Sequence, residues 1–64
     1  MRDLALFRDF ALCRLEPLSP KGRAVLRVLE ARFPELYPWG DGAVLAPIDL
    51  EPVLAAAKEE GAII

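Results

Sequence analysis

LYPWGDGAVLA, residues 36–46, is the stretch whose reading decides the fold. Apolar residues stand at both ends and turn formers in the middle. Gly40-Asp41-Gly42 can supply positive φ without the steric cost of a Cβ. The stretch therefore predicts a hairpin with arms at Leu36-Tyr37 and Ala43-Val44-Leu45-Ala46. Pro38 restricts the first arm to a short edge strand, because proline has no N–H to give a ladder, and Pro47 closes the second. On either side the chain offers a candidate strand and a candidate helix.

Upstream, Ser19-Pro20 opens a helix, with serine as N-cap and proline at the first helical position. Val25, Leu26, Val28, Leu29 and Phe33 recur at helical spacing as one stripe, with Arg23, Arg27 and Glu30 opposite; Pro34 ends it. Before it, LALFRDFALCRL (residues 4–15) is apolar in both phases of a two-residue period. It reads as a strand over roughly 9–15, extended or bent from residue 4, with a bulge at Arg8-Asp9. A helix at 2–8 is the alternative. Downstream, Asp49 suits an N-cap, Glu51 the positive helix end and Pro52 the first turn. Leu50, Val53, Leu54 and Ala57 form the buried stripe, Gly61 the C-terminal cap, and Ala62-Ile63-Ile64 a last short strand.

These elements predict one α+β domain over residues 1–64, in the order β-α-β-β-α-β. That is a two-layer ferredoxin-like (split βαβ) arrangement, with a small antiparallel sheet and both helices on one face. The likeness is one of element order only.

Sixty-four residues lie near the size at which one core becomes marginal. A single Cys excludes an intrachain disulfide, and the absence of His excludes a Cys/His metal site. Oligomerisation is the remaining route to stability. The apolar fraction of 55% exceeds the usual ~45–50%. Net charge is −2, with seven Arg/Lys against four Asp/Glu in residues 1–33 and one Lys against six Asp/Glu in 34–64. That balance argues against bulk attraction to nucleic acid or an anionic membrane. Asn, Gln, Thr and His are absent, a bias seen in thermophilic proteins and equally produced by a high-GC genome. No leader or long apolar run is present, so the expectation is a soluble cytoplasmic chain.

If both helices cover one face of the sheet, the other face needs polar residues or a partner. The strands supply too few polar residues. A homodimer or higher oligomer through that face is the expectation, with Phe10, Leu12 and Val44 at the interface. An N-terminal helix sealing the monomer is the alternative.

No residue pattern identifies a catalytic site, and no cofactor is implied. Cys13 has no neighbouring base to lower its pKa and reads as a small core residue. Ser19, Lys21 and Arg23 gather N–H groups and cations at a helix start, a possible anion site, without phosphate-loop spacing. Asp41 and Asp49 are too few for an oxygen-ligand metal site, and Glu51, Glu59 and Glu60 read as a solvated helix face. Three functional classes result. The first is an interaction module without chemistry. The second is a small-molecule binder or cofactor-free enzyme with an apolar pocket at the dimer interface, lined by Cys13, Tyr37 and Trp39. The third, disfavoured by the acidic balance, is weak nucleic-acid binding by the Arg-bearing first helix.

Overall fold

The computed structural model describes all of residues 1–64. Its elements are β1 (Leu4–Arg8), β2 (Cys13–Pro17), α1 (Pro20–Arg32), β3 (Tyr37–Trp39), β4 (Gly42–Leu45) and α2 (Leu50–Glu59), with a 3₁₀ turn at Pro47–Asp49 before α2. The four strands form one antiparallel sheet in the order β1-β2-β4-β3. The fold is α+β as expected. Its element order is β-β-α-β-β-α, not β-α-β-β-α-β, and the difference arises at the two ends of the chain.

At the N-terminal end, residues 4–15 hold a hairpin rather than one bent strand or a helix. Arg8 lies opposite Cys13, and between them Asp9-Phe10-Ala11-Leu12 reverses the chain, the Asp9 N–H donating to the Leu12 carbonyl at 2.9 Å. The turn holds no Gly, Pro or Asn. Four-residue hairpin loops are built mostly on type I geometry, which nearly any residue adopts, and no non-glycine residue here has positive φ. Arg8-Asp9 is thus the entry to a turn and not a bulge. Phe10 and Leu12 lie in or beside the loop, off the strands to which the alternation had assigned them.

At the other end, Ala62-Ile63-Ile64 forms no strand. Its pairing stops at one point, where the Ile63 carbonyl accepts from the N–H groups of Asp3 at 2.6 Å and Leu4 at 3.2 Å. The Ile63 N–H is taken by the Asp3 carboxylate rather than by a strand carbonyl, so no ladder continues from it.

Local chemistry explains both helices. The Ser19 hydroxyl accepts from the Gly22 N–H at 3.0 Å, capping α1, and Pro20 occupies the first turn. The buried stripe is Gly22, Val25, Leu26 and Leu29; Val28, expected in it, is 39% exposed. Gly22 is required by close approach, because a Cβ there would fall on the Asp3 carbonyl. Asp49 does not cap α2. It adopts helical angles at the end of the 3₁₀ turn and makes no side-chain cap bond, because the turn has begun winding the chain before Leu50. Gly61, at φ +91°, ends α2. The Gly61 N–H donates to Lys58 at 2.9 Å and the Ala62 N–H to Ala57 at 3.1 Å, the paired bonds of a Schellman cap.

The core lies between the helices and one face of the sheet. Leu4, Cys13, Leu15, Ala43 and Leu45 meet Val25, Leu26, Leu29, Leu50, Val53, Ala56 and Ala57 in a single buried cluster. No polar or charged residue is buried in it. Cross-strand partners share a face, so Ala5, Phe7, Arg14, Glu16, Val44, Tyr37 and Trp39 belong to the opposite face.

Candidate functional site

That opposite face carries no helix. A row crosses all four strands in register: Phe7 beside Arg14, Arg14 beside Val44, Val44 beside Tyr37. The next row holds Ala5 beside Glu16 on one pair and Gly42 beside Trp39 on the other. Phe7, Tyr37 and Trp39 are 47%, 67% and 61% exposed. At one end the β1–β2 loop adds Leu12, half exposed, and Phe10, which is almost fully exposed.

A groove of about 550 Å³ runs over this face, walled by Phe7, Leu12, Tyr37, Trp39 and Val44, with Arg8, Asp9 and Arg14 as its polar groups. Tyr37 and Trp39 therefore stand together on its wall. Cys13 borders the groove but turns its side chain into the core, where it is 1% exposed and unbonded to another Cys. Phe10, Leu12 and Val44 are all reachable from outside; only Val44 is in the sheet itself.

Arg14 sits near the centre of the face. Its guanidinium carbon lies 4.6 Å from the centroid of the Phe7 ring, within cation–π range, and one terminal nitrogen is 3.6 Å from a carboxylate oxygen of Glu16. Its Nε is shielded from solvent and has no hydrogen-bond partner. Nothing in the sequence alone pairs Arg14 with Glu16 on this face. Their importance depends on which residues flank them across the sheet, and that required recognising the turn at 9–12.

The helix start singled out in the sequence is already engaged by a carboxylate of the chain itself. The Ser19 hydroxyl donates to Asp3 Oδ1 at 2.7 Å, and the Ile63 N–H to Asp3 Oδ2 at 2.9 Å. The Ile63 bond first, then the Ser19 bond, hold the Asp3 pKa below the ordinary carboxylate value, with a smaller contribution from Lys21. Ser19 and Arg23 border one depression together with Arg27, beside Pro17, Leu18 and Pro20. Lys21 does not border it; its ammonium lies beside Gly61. No three Cys, Asp or Glu side chains group closely enough to hold a metal ion, and no helix is long and apolar enough to cross a membrane.

Compared with protein-family models, curated proteins and solved structures, the chain matches none.

Proposed function

We propose that this chain is an interaction module that pairs with a second copy of itself through the helix-free face of the sheet. The observation that carries the reading is the aromatic and aliphatic surface formed by Phe7, Val44, Tyr37 and Trp39, extended by Phe10 and Leu12. Fully burying an exposed Phe, Leu or Val is worth ~1.5–3 kcal/mol; the share of these side chains still open is what a partner can cover, and over six of them it is a sizeable gain for a domain this small. The area is also adequate. A standard interface removes about 800 Å² from each partner, roughly a fifth of this chain's 4200 Å². One broad face of a 27 × 19 × 19 Å body has about that share of its surface. A second copy supplies the same apolar surface and needs no further gene product.

Trp39 is the only tryptophan and reports directly. In a dilution series by light scattering and fluorescence, the dimer should dissociate as the Trp39 emission moves to the red. Val44→Lys, which puts a charge at the middle of the face, should give a folded monomer with red-shifted emission at every concentration. A wild-type chain that scatters as a 7 kDa monomer up to millimolar concentration would end the reading.

A further inference from the structure

The charges on the helix-free face say how two copies would meet. At its edge Arg8 and Asp9 border the groove; at its centre the face carries one cation, Arg14, and one anion, Glu16, two residues apart on the central strand β2. They are held loosely, at 3.6 Å, with both side chains about two-fifths exposed. Exposed pairs of this kind contribute little to a lone chain. A face bearing one charge of each sign, side by side, is neutral and complementary to its own image under a twofold rotation.

We infer that the twofold axis of the dimer crosses β2 at Leu15, so that Arg14 of each protomer pairs with the Glu16 carboxylate of the other. The inference rests on the homodimer reading above and adds its geometry. An axis lying between the two sheets, perpendicular to β2 and over Leu15, reverses the strand direction and lays each row of one sheet over the other row of its mate. The rest of the face fits this arrangement. Phe7, in the Arg14 row, comes over the small Ala5 of the Glu16 row. Val44 comes over Gly42, one step along β4 from Ala43. Tyr37 comes over Trp39, ring against ring. A large side chain thus faces a small residue on two strands, Ala5 and Gly42 both being already buried within their own chain, and charge faces charge on a third. The twist of each sheet turns stacked strands by about 30°, so the match is closest on the axis, where the ion pairs lie. Sheet packing also removes water from around these pairs, which strengthens their attraction and raises the cost of a like-charge mismatch.

Two single variants and their mixture test this. Glu16→Arg leaves two cations on every copy, and Arg14→Glu leaves two anions. Each should weaken self-association by about 100-fold or more. Mixed in equal amounts, they should form a heterodimer of near wild-type affinity, because every cation of one then faces an anion of the other. The doubly exchanged variant, Arg14→Glu with Glu16→Arg, should dimerise with itself. Circular dichroism of each variant alone establishes that it is folded, and native mass spectrometry of the isotope-labelled mixture counts the heterodimer. Single variants that dimerise as wild type, or folded ones that fail to pair when mixed, would overturn the axis and leave the homodimer standing. A monomeric wild type would remove the homodimer reading itself.

Discussion

Asp3 and Ser19 hold one another through a 2.7 Å hydrogen bond in which the serine hydroxyl donates to the carboxylate. The same hydroxyl oxygen accepts from the first turn of α1. The helix cap is therefore coupled to the start of β1 and, through the second Asp3 oxygen, to Ile63. One side chain joins both ends of the chain to the helix.

This clasp should make the fold sensitive to acid in a defined direction. The folded-state pKa of Asp3 is lowered by the Ile63 and Ser19 bonds. Their contribution is therefore complete above the unfolded value, about 3.9, and is lost as pH falls through the lower folded value. Thermal unfolding followed from neutral pH down to about pH 2 should show the wild type losing its advantage over Asp3→Asn, whose amide does not titrate. Parallel curves for the two proteins would place the acid sensitivity elsewhere.

Gly22→Ala tests the close approach of α1 to β1. Alanine in a helix interior normally gains up to ~1 kcal/mol over glycine. Here the added Cβ falls on the Asp3 carbonyl, and overpacking of that kind costs about 1–3 kcal/mol. Urea denaturation should show a net loss. A gain would mean that the helix shifts without cost.

Leu29 is fully buried, the last residue of the α1 stripe. Leu29→Ala should cost about 2–5 kcal/mol, a large part of the stability available to a domain of this size. Denaturant titration or loss of near-ultraviolet dichroism would measure it, and a cost below about 1 kcal/mol would contradict the packing described.

Phe10, by contrast, is 97% exposed in a loop. Phe10→Ser should leave unfolding of the dilute chain within about 0.5 kcal/mol of wild type. It should also reduce self-association, since the ring stands at one end of the helix-free face.

Where the chain carries its own punctuation, the fold was legible. Ser19-Pro20 and Pro34 bracket α1, Gly40 turns the second hairpin at φ +59°, and Gly61 ends α2. The first hairpin lacks such marks. Asp9-Phe10-Ala11-Leu12 is an apolar, glycine-free turn, and without it residues 4–15 read as one strand. The mistake carries through to the face. Read that way, Phe10 and Leu12 fall on the sheet, and nothing groups Phe7, Arg14 and Glu16, which share its outer surface. Asp49 failed as a cap for a different reason: the 3₁₀ turn before α2 is set by how the chain leaves β4, which no single residue announces.

The bond from Ile63 to Asp3 spans 60 residues and so closes a long loop. Loop-closure entropy delays such a contact until the hairpins and helices have already come together. Breaking it should therefore hasten unfolding and leave the folding rate almost unchanged. The clasp acts as the last fastening on an otherwise assembled body, governing how long the native state persists rather than how quickly it is reached.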